Sequence, residues 1–174
     1  QNYVKPQYVI SLLSDMLAQD DIVTTEVGQN QIWTANYLKV KKARTFISSG
    51  GMGTMGYGLP AGVGAKVGKP ESRVVVVSGD GSFQMSLQEL GTIKQNNLGI
   101  KIIVFNNSRL GMVREIQKNK YCGRLNQVFL DENPDFVKLM DAYGFRAERI
   151  MRNKEVQKAL ERMLEDDRTY LLEC

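Results

Sequence analysis

Arg73-Val74-Val75-Val76-Val77-Ser78-Gly79-Asp80-Gly81 is the stretch that decides the fold. Its apolar run does not alternate with polar residues, which is the pattern of a strand covered on both faces of a sheet. It closes on Gly79-Asp80-Gly81. A second run, Ile100-Lys101-Ile102-Ile103-Val104-Phe105, closes on Asn106-Asn107, and 24 residues separate Gly81 from Asn106. Each run therefore ends on an oxygen-bearing side chain. Two such side chains at the ends of neighbouring buried strands can share one hard cation, and that cation can hold a diphosphate.

Working outward, strands alternate with helices. Pro6 opens a helix expected to run to about Ala18, with Val9, Ile10, Leu13, Met16 and Leu17 on one face. Asp21 to Val27 reads as a strand, and Gly28 turns into a helix through Trp33 and Tyr37. Thr45 to Ser48 is a short strand candidate. Gly50 to Gly68 is rich in glycine, and its second half reads as a helix packed closely on a neighbour. Ser86 to Gln95 and Gly111 to Gln117 read as helices. Asn133-Pro134 predicts an N-cap followed by Pro at the first helical position of a helix to Tyr143, ended by Gly144. Phe145 to Ile150 is a strand. Asn153 is expected to cap a helix carrying Val156, Ala159, Leu160, Met163 and Leu164 on one face. Tyr170 to Glu173 is the last strand. The alternation predicts one α/β domain over residues 1–174, a doubly wound, mostly parallel sheet with helices on both faces. Such sheets bind ligands beyond the carboxyl ends of their strands, where Asp80 and Asn107 lie.

The bulk properties narrow the function. A chain of 174 residues with 43% hydrophobic content can build a real core. The net charge of +4 is small and mixed in sign. Lys39, Lys41, Lys42 and Arg44 read as a solvated loop rather than a nucleic-acid site. Cys122 and Cys174 are far apart and lack a CxxC spacing, which fits a reducing cytoplasm. No apolar run has the length needed to span a membrane. Histidine is absent, so proton transfer must use another group, a cofactor or another chain. The first residue is Gln1, which suggests a piece of a longer protein.

Gly51-Met52-Gly53-Thr54-Met55-Gly56 also fits GxGxxG, with Asp80 downstream, and a dinucleotide fold would read this way. That alternative leaves Asn106-Asn107 unexplained. The glycine run has a simpler reading as close helix packing and a loop.

The split motif resembles the signature of thiamine-diphosphate enzymes. The resemblance extends through Val27-Gly28-Gln29, Ser49 to Ala61, Gly79 to Phe83 and Leu110-Gly111-Met112-Val113. It is similar to the C-terminal, diphosphate-binding domain of acetolactate synthase catalytic subunits. The resemblance implies that Asp80, Asn107 and the carbonyl of Arg109 bind Mg2+. It implies that Gly28, Gln29, Asn30, Gly53, Gly79, Gly81, Ser82, Leu110 and Gly111 meet the cofactor. Met55 would wedge beneath the bent cofactor, and Met112 would line the substrate side; as catalytic candidates both have a plain alternative as packing methionines. The implied reaction decarboxylates pyruvate and joins the remainder to a second 2-oxo acid.

Two departures stand out. The family usually has His after Gly-Gln, where this chain has Asn30, which can still donate to a phosphate oxygen. Many synthases carry Trp four residues beyond Met112, where this chain has Ile116; that leaves the acceptor preference open. The family's activating Glu comes from an N-terminal domain of a partner subunit, and an FAD-binding middle domain is also missing. Glu26 is a tempting substitute, but it adjoins the diphosphate end. The resemblance therefore implies the last third of an enzyme working as a homo-oligomer, with room for a regulatory subunit and inactive in isolation. Other thiamine-diphosphate decarboxylases or carboligases, and a binding module without catalysis, remain alternatives.

Overall fold

The computed structural model describes residues 3–174. Six parallel strands form one sheet in the order β2-β1-β3-β4-β6-β5. They are β1 (Ile22–Thr25), β2 (Phe46–Ser48), β3 (Val74–Gly79), β4 (Ile100–Phe105), β5 (Arg146–Arg149) and β6 (Tyr170–Glu173). The helices are α1 (Pro6–Met16), α2 (Gln29–Tyr37), α3 (Gly58–Gly68), α4 (Asp80–Gln84), α5 (Glu89–Gln95), α6 (Gly111–Lys120), α7 (Phe136–Ala142) and α8 (Asn153–Leu164). The doubly wound α/β expectation holds, and the sheet is wholly parallel.

The pleat sorts β3 and β4 into two cores. Val75, Val77, Ile103 and Phe105 face the layer of α1 and α8, with Val9, Ile10, Leu13, Val156 and Leu160. Val76, Ile100, Ile102 and Val104 face the other layer, with Leu59, Phe83, Leu90, Phe136 and Met140. The four valines have no exposed surface, as a strand covered on both sides requires. Close packing by small residues is real at Gly62, where an added Cβ would lie 2.5 Å from Val76 Cγ2. Gly64 and Gly68 have open space instead.

The chain leaves β1 toward β2 on one side and returns to place β3 on the other. The C-terminal ends of β1 and β3 therefore flank a topological switch point, where doubly wound sheets hold ligands.

Two helix starts differ from expectation. Asn133 does not cap α7. Asp135 does: its Oδ1 accepts from the N–H groups of Val137 (3.1 Å) and Lys138 (3.3 Å). A carboxylate two residues later satisfies the orphan donors better than Asn133, which is engaged elsewhere. Asn153 is the first residue of α8 rather than its cap, and its Oδ1 accepts from the Lys5 N–H at 2.8 Å. Glu155 ties down that helix start, accepting from the Arg152 N–H at 2.8 Å. Gly144 ends α7 as expected, with φ +72°, and the N–H of Phe145 reaches the Met140 carbonyl at 2.9 Å.

The basic run lies where a solvated loop was expected. Lys39 pairs with Asp15 at 2.8 Å and Lys42 pairs with Asp20. Both cysteines are free. No helix among the described residues is long and apolar enough to cross a membrane.

Candidate functional site

Beyond the ends of β1, β3 and β4 lies an open cleft with ≈ 520 Å³ of empty space. Three helices begin on it: α2 at Gln29, α4 at Asp80 and α6 at Gly111. None has a side-chain cap. The first N–H groups of a helix lack intrahelical partners, and the helix dipole makes that end positive. A cleft walled by three such ends suits an anion with several oxygens.

Glycines bring the backbone close to that space. Gly28 has φ +154°, and a Cβ there would meet Asn30 Oδ1 at 2.3 Å. At Gly81 a Cβ would lie 2.9 Å from Leu110 Cδ2 and 3.1 Å from Leu130 Cδ1. Gly79 leaves its own Cβ volume beside Asn30 Oδ1, at 3.4 Å. Side chains at Gly28 and Gly81 would collide with Asn30 and Leu110, which line the cleft.

Asp80 is the charged centre. It is 2% exposed, and burial raises its carboxyl above the ordinary value. Hydrogen bonds from Asn133 and from the backbone of Gly81, Asp80 and Ser108 oppose that rise. A divalent cation would favour the charged form. Asn107 faces the same cleft and is exposed; its Oδ1 accepts from the Arg109 N–H at 3.0 Å. Arg109 also lines the cleft, with its guanidinium 5.1 Å from the Phe129 ring centroid. No three His, Cys, Asp or Glu residues gather as a metal cage among the described residues. A cation here would take one carboxylate, an amide oxygen and a carbonyl, then complete its shell with ligand oxygens and water, which is the habit of Mg2+. The donor set fits.

Gln29 crosses the cleft mouth. Its Nε2 donates to Glu115 Oε2 at 3.1 Å, and its Oε1 lies 3.4 Å from Asn107 Nδ2. Asn30 is 4% exposed, and its Nδ2 donates to Thr25 Oγ1 and to the carbonyls of Glu26 and Val77, each at 3.3 Å. It fastens α2 to the ends of β1 and β3. The Ser82 hydroxyl donates to the Val27 carbonyl at 3.3 Å, and Ser82 lines the cleft.

Met55, Leu110 and Met112 form apolar wall, with Met55 Cε 3.8 Å from the Cβ position of Gly81. Gly53 falls outside the lining, in an exposed loop with φ +66°. Sequence reasoning missed Trp33 and Phe105, which meet edge to face at 5.7 Å and line the same cleft. Their positions carried a signal: Phe105 ends the strand before Asn106, and Trp33 follows Gln29 by one helical turn. Glu26 is fully buried behind the cleft. It accepts from the Ser78 hydroxyl and from the Gly58 N–H at 3.2 Å.

Comparison with known proteins gives the family. Residues 26–174 match the family described as thiamine pyrophosphate enzyme, C-terminal TPP binding domain. Over 94% of its length the chain is 46% identical to the acetolactate synthase isozyme 2 large subunit of Escherichia coli (strain K12), covering 30% of that protein. Over 98% of its length it is 43% identical to a probable acetolactate synthase large subunit of Methanococcus aeolicus, covering 29%. It is also 43% identical, over 98% of its length, to the mitochondrial acetolactate synthase catalytic subunit of Aspergillus candidus, covering 25%. The chain thus spans between a quarter and a third of these relatives. With residues 26–174 matched, the chain belongs to the thiamine pyrophosphate enzymes as a C-terminal TPP-binding domain.

Proposed function

We propose that this chain holds thiamine diphosphate through Mg2+ as the diphosphate-binding part of an acetolactate synthase. The observation that carries the reading is the convergence of three uncapped helix starts on Asp80 and Asn107 at one switch point. In it, Asp80, Asn107 and the Arg109 carbonyl hold the cation. The backbone at Gly28, Gly81, Ser82 and Gly111 takes the diphosphate, and Met55 supports the organic rings. When bound, thiamine diphosphate supplies the nucleophilic carbon chemistry for decarboxylating pyruvate and joining the remainder to a second 2-oxo acid. The residues of this chain bind and orient, while the pyrimidine-facing acid, the FAD-binding middle domain and the second subunit lie in the rest of a homo-oligomeric enzyme, with a regulatory subunit as a further partner. The free cysteines fit a reducing compartment such as the cytoplasm.

Calorimetry tests the binding. Thiamine diphosphate should bind with Mg2+ and fail to bind in EDTA or with Asp80→Ala. Equal affinity under all three conditions would remove the metal assignment.

A narrower reading has its own support: in isolation the chain binds without catalysing. Among the described residues the acids near the cleft are engaged, with Asp80 on Asn133, Glu26 on Ser78 and Gly58, and Glu115 on Gln29. The isolated chain should make no acetolactate from pyruvate, and measurable turnover would overturn this.

A further inference from the structure

Asn133 lies in the loop before α7, read in the sequence only as a helix cap and outside the motifs assigned to cofactor or metal. Its Nδ2 donates to Asp80 Oδ2 at 2.7 Å and to Asn106 Oδ1 at 3.0 Å. Its Oδ1 accepts from Gln84 Nε2 at 2.8 Å. One amide nitrogen thus joins the two halves of the split motif, the end of β3 and the end of β4.

The direction of this amide follows from its neighbours. Glu173 can only accept, so Asn106 must present its Nδ2 there, at 2.8 Å. The Oδ1 of Asn106 then faces the Ser108 N–H (3.1 Å) and Asn133. Asn133 must in turn offer its nitrogen to two oxygens and its oxygen to Gln84. Arg149 anchors the far end, with Nε 2.8 Å from Glu173 Oε2. The chain of contacts is polarised from β5 and β6 to Asp80, and reversing one amide would set oxygen against oxygen.

We propose that Asn133 is a positioning residue for the metal carboxylate: it holds Asp80 Oδ2 and turns Oδ1 to the cation. This rests on the reading of Asp80 as a metal ligand. Mg2+ tolerates little departure from octahedral geometry, so a carboxylate free to rotate binds it less well. Partners that orient ligands typically change metal affinity about 10- to 100-fold. The bland alternative is that Asn133 merely satisfies a buried carboxylate and contributes to folding alone.

The test titrates Mg2+ and then Ca2+ into the 174-residue chain with saturating thiamine diphosphate, by calorimetry. Melting temperature is followed without ligand. Asn133→Ala should weaken Mg2+ about 10- to 100-fold, weaken Ca2+ less because Ca2+ accepts irregular shells, and leave the ligand-free melting temperature within a few degrees. Unchanged Mg2+ affinity, or equal losses for both cations, overturns the proposal. If Asn133→Ala does not fold, Gln84→Met decides: a several-fold loss of Mg2+ affinity supports the proposal and no loss overturns it. Asp80→Ala separates the two levels. Native protein whose cofactor binding ignores Mg2+ and Asp80 sinks the underlying reading. Binding that needs Asp80 but not Asn133 sinks only the inference.

Discussion

Gly111 and Gln29 are packed so closely that a Cβ on Gly111 would lie 2.1 Å from Gln29 Oε1 and 2.8 Å from its Cδ. The helix start and the side chain that crosses the cleft mouth are therefore a single fitted pair, drawn from α6 and α2.

Gly111→Ala should separate folding from binding. The clash is with the end of a flexible side chain, so Gln29 swings away and loses Glu115 and Asn107. Ala is the better helix former, by up to about 1 kcal/mol. Thermal stability should be unchanged or slightly raised, while thiamine diphosphate affinity falls about tenfold, as for one lost hydrogen bond to a charged group. Parallel melting and calorimetry check both halves; unchanged affinity would refute the role given to Gln29.

Gly62 and Gly64 should respond in opposite directions. At Gly62 a Cβ would meet Val76 Cγ2 at 2.5 Å and Thr24 Oγ1 at 3.3 Å. Gly62→Ala should cost about 1–3 kcal/mol by overpacking. At Gly64 nothing lies within 4 Å, and Gly64→Ala should gain up to about 1 kcal/mol from helix propensity. Urea denaturation of the two variants measures the signs.

Gly28→Ala should be costly for a different reason. The residue combines φ +154° with a Cβ position 2.3 Å from Asn30 Oδ1. Strain of this kind costs on the order of 1–3 kcal/mol, and displacing Asn30 loosens α2 from the sheet. The midpoint of urea unfolding should fall accordingly.

Glu26 makes stability depend on pH. Burial raises its carboxyl above the ordinary 4.5, against hydrogen bonds from Ser78 and from the backbone of Gly58, Gly56 and Gly79. A carboxyl that holds its proton more tightly when folded contributes stability that is fully present below the unfolded value. That stability is lost as pH rises through the folded value. Glu26→Gln removes this titration. The stability of the variant relative to the native chain should therefore rise as pH increases above 4.5, with a limiting slope of about 1.4 kcal/mol per pH unit. A difference that stays flat between acid and neutral pH would contradict the assignment.

Most of the fold was legible because buried parallel strands announce themselves. Ile100–Phe105 and Tyr170–Glu173 fall where the apolar runs ended, and Val74–Gly79 extends its run only to the glycine. The cleft was legible because strand ends and glycines are local features. What sequence hid was contact across distance. Asn133 before a Pro looks like a helix cap by local rules, yet its amide is claimed by Asp80, 53 residues earlier. Asn30 looked like a phosphate donor, yet its nitrogen faces the carbonyls of Glu26 and Val77. Local chemistry named the right residue types in both places, and tertiary partners decided what each one does.

Helix α6 supplies Gly111 and Met112 to the cleft, yet none of its ten residues is buried. Its docking free energy is therefore small compared with that of the sheet, and it should open on its own without global unfolding. Amide exchange along Gly111–Lys120 should be fast without ligand and slow with it. Cofactor affinity then contains the fraction of molecules in which this wall is closed, since apparent affinity falls in proportion to that fraction. Anything that packs on the exposed surface of α6, which includes Val113 and Ile116, should hold this wall closed and so tighten cofactor binding.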